Sequence, residues 1–212
     1  LNVCPMAEKA ACSAPCLFTA GRGAMNSVFY ARLRKTLFMQ QYASDFLSVL
    51  VSDIKRLEKK AEKQGLTLAI RLNGTSDIRF ENALIDGKNI MDHFPHIMFY
   101  DYTKQNNRKN IPANYDLTFS YSGVAGFAEY AKKALDNGLR LAVVFRNRET
   151  VETMLENGVK FLGRDIVDGD ETDLRFLEPA GVVSALYAKG RAKLDGSGFV
   201  GDMPEEIAAA CM

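Results

Sequence analysis

The sequence predicts an α/β fold with a mainly parallel sheet and helices outside it, arranged as an open sheet or as a partial or complete (β/α) barrel. Two observations lead to this fold class. Short apolar segments alternate with helical segments from residue 68 to residue 186, which is the pattern of strand–helix–strand units. The segment at residues 139–145, LRLAVVF, is almost entirely apolar, as is typical of a parallel strand buried on both faces.

The first long helical segment is predicted from about Met25 to Gln64, with a break near Ala43 and Ser44. Its apolar residues recur at steps of three and four, which places them on one helix face: Phe46, Leu50, Ile54, Leu57 and Ala61. The other face carries a charge run that we interpret as a solvated helix face: Lys55, Arg56, Glu58, Lys59, Lys60 and Glu62. Gly65 is predicted to end the helix.

The rest of the chain alternates between strands and helices. Six strands are predicted, at residues 68–72, 97–102, 117–120, 139–145, 159–162 and 182–186. Helices are predicted between them at residues 82–93, 124–137 and 149–157. The chain begins at Leu1 rather than Met, so we expect that a short native N-terminus is missing and that it has room for a seventh strand.

Composition predicts one globular α/β domain spanning residues 1–212. The hydrophobic fraction is 47% and the charged fraction 25%, which suits a chain with one substantial core. The net charge of +1 favours neither nucleic acid nor an acidic membrane, and no apolar run approaches the roughly 20 residues of a spanning helix. Clustered cysteines without an export signal predict a reducing, cytoplasmic location.

A cysteine loop at about residues 4–22 carries the strongest chemical signal. Cys4, Cys12 and Cys16 are three of the four cysteines, in the spacing C-x7-C-x3-C. Thiolates are soft ligands for zinc and iron–sulfur clusters, and an odd number of thiols cannot all pair as disulfides. The loop is therefore predicted to bind a metal, with Cys211 too near the chain end to be a good fourth ligand. The alternative is that Cys12 and Cys16 are small buried apolar residues.

Polar residues follow nearly every predicted strand. Because the carboxyl ends of parallel strands meet at one edge of a sheet, we expect eight of them to surround one opening beside the cysteine loop: Asn73, Asp77, Asp101, Lys104, Ser120, Arg146, Asp168 and Lys189. Asp77 and Lys189 are the candidate catalytic residues and are predicted to share one pocket. Desolvated polar groups need partners, so a small ligand that carries both a positive and a negative charge, as S-adenosylmethionine does, or a nucleotide would satisfy them.

Weaker motifs keep two interpretations each. The segment at residues 168–173, DGDETD, has some calcium-loop character but lacks the closing glutamate, so a turn is predicted. Lys189, Arg191 and Lys193 are either a phosphate grip or a solvated basic turn. No nucleophile elbow, Walker loop or HExxH motif occurs, so hydrolase, P-loop and zincin functions are unsupported.

Several segments together resemble a family of small bacteriophage-encoded three-cysteine proteins. They are NVCPMAEKAACSAPCLFTAGRG, RLNGTSD, FPHIMFYDYTK, ANYDLTFSYSG, VDGDETDLRFLEP and AKGRAKLDGSGFV. The resemblance covers most of the chain, and the cysteine segment with FYDYTK is its most specific part. It implies a phage origin, and hence the cytoplasm of an infected bacterium, without implying a particular activity.

The order of parts also looks like a diverged radical S-adenosylmethionine barrel. In that superfamily a three-cysteine loop after the first strand holds a 4Fe–4S cluster, and polar residues after later strands bind the methionine and ribose groups. The resemblance implies that Cys4, Cys12 and Cys16 are cluster ligands and that the cofactor is contacted by Gly74, Asp77, Thr103 and Ser120. The cysteine spacers here are seven and three residues, where the superfamily usually has three and two, and Gly-Gly-Glu-Pro is absent.

These features predict a phage-encoded iron–sulfur enzyme acting on a nucleotide or another small polar substrate. Three thiolates leave one iron of a four-iron cluster open, and that iron can chelate a substrate or a cofactor. The cofactor would supply the chemistry, and the polar strand ends would supply orientation.

Two alternatives stay open. In the first, His93, His96 or an acidic residue completes a structural zinc site. The protein is then a nucleic-acid-binding or host-interaction module that uses basic loops near Tyr100 and Tyr102: Lys104, Arg108, Lys109 and residues 189–193. In the second, a transglycosylase-like barrel modifies nucleobases with Asp77 or Asp168 as nucleophile and zinc as a structural ion.

Overall fold

The computed structural model describes residues 3–19 and 21–202. The strands in this part of the chain are β1 (Ala69–Ile70), β2 (Leu84–Ile85), β3 (Lys88–Asn89), β4 (Met98–Thr103), β5 (Tyr115–Ser120), β6 (Arg140–Phe145), β7 (Lys160–Phe161), β8 (Arg164–Asp168) and β9 (Val183–Tyr187). The α-helices are α1 (Asn26–Gln41), α2 (Ala43–Lys63), α3 (Ile90–His93), α4 (Phe127–Asp136) and α5 (Arg148–Glu156). Short 3-10 turns lie between several of these elements.

Seven strands form one sheet in the order β1-β4-β5-β6-β9-β8-β7. Every neighbouring pair is parallel except β7 with β8, which is antiparallel. The prediction of a mainly parallel α/β sheet is therefore confirmed. Within the described residues β1 and β7 are the two edges and do not pair with each other, so the sheet does not close into a complete barrel. Both edge strands have only two residues and offer little backbone for closure.

The six predicted strands are all present, but two hairpins were missed. Residues 84–89, predicted as part of a helix, form the β2–β3 hairpin around Asp86 and Gly87, which both have positive φ. Residues 164–168, predicted as a polar loop, form β8, which pairs with β7 through the positive-φ pair Leu162 and Gly163. Turns of this kind suit the twist of two antiparallel strands, and Asp-Gly is among their strongest sequence signals.

The other helices lie close to their predicted positions, whereas α3 covers only residues 90–93 of the helix predicted at residues 82–93. The break between α1 and α2 falls at Tyr42, one residue before the predicted break. α4 begins three residues later than predicted, after Gly126, whose φ of 79° suits a residue without a side chain. No helix of the described residues is both long and apolar enough to span a membrane.

The two faces of the sheet differ in chemistry. Buried residues of α2, α4 and α5 form one core with alternate residues of the central strands, among them Leu141, Val143 and Phe145 of β6. The segment at residues 169–182 contacts the other face through polar and charged groups. There Arg140 bonds to Asp116 of the neighbouring strand and to the carbonyl oxygens of Glu178 and Pro179.

Candidate functional site

A cavity of about 560 Å³ lies at the carboxyl edge of the parallel strands. Its polar wall comes from residues after β1, at the end of β4 and β5, and after β9: Asn73, Gly74, Asp77, Thr103, Lys104, Ser120 and Lys189. The cysteine loop closes one side with Cys4, Cys12 and Cys16, and apolar side chains such as Leu17, Val144, Leu186 and Phe199 complete the lining. The size and the mixed lining match those of small-ligand sites.

Hydrogen bonds from distant parts of the chain attach the cysteine loop, and Val3 just before it, to the segments that follow the strands. The Val3 carbonyl oxygen accepts a bond from the Asp77 backbone N–H at 2.9 Å. The Ser122 hydroxyl donates to the Ala10 carbonyl at 2.8 Å, and the Ser197 hydroxyl donates to the Ala11 carbonyl at 2.9 Å. Ala10 is fully buried in the core. These bonds hold the loop against the strand ends, which is why its cysteines face the cavity.

The three thiols share this cavity without forming a coordination sphere. The Cys4 sulfur lies 3.8 Å from the Thr75 carbonyl oxygen, and the Cys12 sulfur lies 3.7 Å from the Ala7 carbonyl oxygen. Across residues 3–19 and 21–202, no three or more Cys, His, Asp or Glu side chains stand close enough together to hold a metal ion. The cysteine ligands assigned from the sequence therefore remain a prediction.

Burial governs the ionisation of two of the thiols. Burial, and next the Asp77 carboxylate, raise the pKa of Cys4 to about 11. Burial also raises the pKa of Cys12, and the Lys104 ammonium acts in the opposite direction. Both thiols are therefore protonated at neutral pH in the metal-free protein, and a bound metal would have to displace their protons.

Asp77 is buried, and both of its carboxylate oxygens accept hydrogen bonds. Oδ1 accepts from the Thr103 hydroxyl at 2.8 Å and from the Arg108 guanidinium at 3.3 Å, and Oδ2 accepts from the Lys104 backbone N–H at 2.9 Å. Arg108 is itself buried and forms a two-pronged ion pair with Glu81. Asp77 thus ties the loop after β1 to the end of β4, an arrangement that positions its neighbours.

Lys104 places a cation beside the thiols. Its ammonium donates to the Ser120 carbonyl at 2.6 Å, the Ser120 hydroxyl at 2.9 Å and the Tyr121 carbonyl at 3.0 Å. It also lies 4.6 Å from the centre of the Phe199 ring. Burial lowers the pKa of Lys104 to about 8, while the nearby Cys12 and Asp77 favour the charged form. The three acceptors fix its direction toward the end of β5.

Two ion pairs form the wall that follows β8 and β9. Lys189 bonds to Asp170, which also accepts from the Tyr187 backbone N–H at 3.0 Å. Arg71 donates to Asp173 at 2.6 Å and lies 4.8 Å from the centre of the Tyr102 ring. The sequence analysis does not name Arg71 as a site residue. Its signal is that it is the only charged residue in the predicted strand at residues 68–72.

A family model described as gene product 88 matches residues 1–202. The chain belongs to the gene product 88 family. This match fits the resemblance to phage-encoded proteins, and it carries no support for the radical S-adenosylmethionine likeness. No curated protein and no solved structure matches the chain.

In this gene product 88 family member, five of the eight residues predicted to surround the opening line the cavity. They are Asn73, Asp77, Lys104, Ser120 and Lys189, and the cofactor-contact candidates Gly74 and Thr103 line it as well. Asp101, Arg146 and Asp168 are outside the lining. Asp168 accepts a bond from the Asp170 backbone N–H in a local turn, whereas Arg146 donates to the Asp195 carbonyl and ties the end of β6 to the segment after β9.

The structure of this family member does not support a histidine as the ligand that completes a structural zinc site. His93 bonds to the Ile85 carbonyl oxygen at 3.0 Å and His96 pairs with Glu58 of α2. Both histidines precede β4, whereas the cavity lies at the other end of β4, where Tyr102 and Thr103 line it. A six-residue strand separates the two ends by roughly 17–20 Å.

Two residues of the predicted basic surface around Tyr100 and Tyr102 are already paired within the protein. Arg108 is buried against two carboxylates, and the Lys104 ammonium is occupied by three oxygen acceptors. Neither side chain is free to contact a phosphate. Cys211 lies outside the described residues.

Proposed function

We propose that this protein is an iron–sulfur enzyme in which Cys4, Cys12 and Cys16 hold a 4Fe–4S cluster and the cavity binds S-adenosylmethionine or a nucleotide-like substrate. One observation carries the proposal: three thiols of one loop line the same cavity as polar groups at the ends of four parallel strands. The order of these parts is similar to that of radical S-adenosylmethionine barrels. When bound, such a cluster supplies an iron with an open coordination position for a ligand.

Three cysteine thiols are chemically suitable ligands for the cluster. Binding the cluster requires a change in the conformation of the cysteine loop. Soft thiolates are the usual ligands of iron–sulfur clusters. The thiols must lose their protons and move closer together, which couples loading to the conformation of the cysteine loop. The Lys104 ammonium favours this deprotonation because its charge stabilises a thiolate at Cys12.

The strand-end residues bind and orient the small molecule. Gly74 lines the cavity, and a Cβ placed there would meet no protein atom within 4 Å, so the backbone is open to a ligand. Asp77 orients Thr103 and the Lys104 backbone N–H, and Lys189 offers a half-exposed ammonium to an anionic group. Leu17, Leu186 and Phe199 reduce access of water to the site.

Replacing Cys4, Cys12 or Cys16 singly with serine should remove most of the bound iron and sulfide and lower thermal stability, because metal binding and folding are coupled. Anaerobically purified protein should be brown, and iron, sulfide and zinc analysis with a visible spectrum measures the loss. Cys211→Ser is the matched control and should retain the cluster. Colourless protein containing zinc, or equal iron in all four variants, would refute the cluster and favour the zinc-stabilised module.

Substitution of Gly74 by valine should weaken binding of S-adenosylmethionine to the iron-loaded protein at least ~10-fold, because the new side chain occupies the cavity beside the ligand. Gly196→Val is the matched control, since a Cβ there also meets no atom within 4 Å and Gly196 is not in the cavity lining. Asp77→Ala should weaken binding as well. Calorimetry gives the affinities, and equal binding by both glycine variants would place the ligand elsewhere.

A further inference from the structure

A stripe of basic residues runs along the solvent face of α2 and forms a surface separate from the cavity. Ser52, Lys55, Arg56, Lys59, Lys60 and Lys63 line a surface groove, and all six are exposed. They recur at steps of three and four residues, so they project from one helix face. Between Lys55 and Lys63 the stripe extends about 12 Å along the helix axis. The groove and the cavity share no lining residue.

Several cations of the stripe lie next to one another on the helix surface. Three of its pairs are like charges four residues apart: Lys55 with Lys59, Arg56 with Lys60, and Lys59 with Lys63. Each such pair destabilises a helix by about 0.2–0.5 kcal/mol. In the described part of the chain, Arg56 is the one member of the stripe with an ion pair, to Asp53. Glu58, which pairs with His96, and Glu62 lie on the same side of the helix but outside the groove lining, which consists of five cations and Ser52. This concentration of positive charge indicates an anionic partner.

The partner's chemistry follows from what surrounds the stripe. Leu47 and Ile54 of α2 are buried in the protein core, and among the described residues of this helix the large apolar side chains exposed to solvent are Val49 and Leu57, which are too few to form a membrane-inserting apolar face. Among the residues that the structure describes, none in the groove lining is aromatic, so an unpaired base has no ring there on which to stack. Duplex nucleic acid instead presents one negative charge per about 1.7 Å of its axis, which matches a compact row of cations.

We propose that the basic stripe of α2 binds the phosphate backbone of duplex nucleic acid without reading its sequence. The five cations contact phosphates from one side of the duplex, and binding releases counterions. A net charge of +1 conceals this surface in the composition, because the positive charge is concentrated on one helix face. The inference stands independently of the metal content of the cysteine loop.

The test is titration of a fluorescein-labelled duplex DNA with the full chain, followed by fluorescence anisotropy at several salt concentrations. The triple variant Lys55→Gln, Lys59→Gln, Lys63→Gln should bind at least ~10-fold more weakly at low salt. The logarithm of the association constant falls with the logarithm of the salt concentration, and each phosphate contact contributes about 0.9 to the steepness of that fall. The fall should therefore be about 2–3 less steep for the triple variant than for the wild type. The matched control is Lys88→Gln, Lys109→Gln, Lys133→Gln, which removes the same charge from exposed lysines outside the stripe.

The control variant should retain wild-type affinity and slope. An equal loss in both triple variants would mean that net charge alone drives the binding and would overturn the proposal. Absence of binding by the wild type at low salt would overturn it too. Tighter binding to the single strand, or to phosphatidylserine vesicles, than to the duplex would assign the stripe to another partner.

Discussion

Asp101 is a buried carboxyl group in β4 whose protonation depends on folding. It accepts bonds from the Asn73 backbone N–H at 2.7 Å, the Asn73 side chain at 3.1 Å and the Tyr115 hydroxyl at 2.8 Å. These bonds favour the carboxylate, yet burial outweighs them and raises the pKa of Asp101 from 3.8 to about 6. The folded protein therefore binds this proton more tightly than the unfolded chain does.

The consequence is a loss of stability as the pH rises from about 4 to about 6. A group with a raised folded-state pKa contributes stability that is complete below its unfolded pKa and is lost as the pH passes the folded value. Two pH units correspond to about 3 kcal/mol, which we take as the upper limit for Asp101. Urea unfolding of wild type and Asp101→Asn at pH 4 to 7 measures the contribution of Asp101 to the free energy of unfolding, because the variant cannot titrate at this position.

The free energy of unfolding of wild type, relative to that of Asp101→Asn, should fall across this interval. Asp136→Asn removes a carboxyl from the exposed end of α4 and controls for the loss of one negative charge. Parallel profiles for wild type and Asp101→Asn would show that Asp101 keeps its unfolded-state pKa.

At the scale of elements, the cysteine loop depends on hydroxyl groups that come from other loops. Ser122 is fully buried after β5, and Ser197 follows β9 by ten residues. Each donates to a carbonyl oxygen of the cysteine loop next to Cys12. Ala11 has a φ of 50°, an uncommon value for a residue with a side chain, so the surrounding contacts must hold it there.

Ser122→Ala should lower the free energy of unfolding by about 1–3 kcal/mol, because the buried Ala10 carbonyl loses its donor. It should also increase the rate at which iodoacetamide alkylates Cys12, as quantified by peptide mass spectrometry. Ser48→Ala is the control, since its hydroxyl bonds to Ser44 on the exposed surface of α2. An unchanged alkylation rate in a destabilised Ser122→Ala protein would show that this bond does not hold the loop.

At the scale of the whole molecule, the topology of the sheet decides where the chemistry collects. Parallel strands all end at the same edge, so residues as far apart in sequence as Gly74 and Lys189 line one cavity. The other face of the sheet is covered by the polar segment at residues 169–182. The cavity lies at the carboxyl edge of this open sheet, and the cysteine loop forms one side of the cavity. The basic stripe lies on a helix, so two binding surfaces fit on one domain.

The sequence by itself determined the fold class and most of the candidate site. Alternating apolar and helical segments predicted a parallel sheet, and the polar residues after the strands predicted a shared opening. Both predictions rest on local patterns that hold in any parallel α/β protein, whatever its detailed packing. The Asp-Gly pair at residues 86–87 could have predicted the β2–β3 hairpin, so that miss was avoidable.

Only the tertiary structure decided which charged residues are available to a ligand. The sequence predicts that Arg108 and Lys104 belong to a basic loop. In the structure Arg108 pairs with Glu81 and Asp77, and Lys104 donates to carbonyl oxygens at the end of β5. The basic face of α2 is solvated as the sequence predicts, and the structure adds that five of its cations line one shallow surface groove. Burial and pairing arise between segments distant in sequence, so a local pattern gives the charge of a side chain but not the groups that surround it.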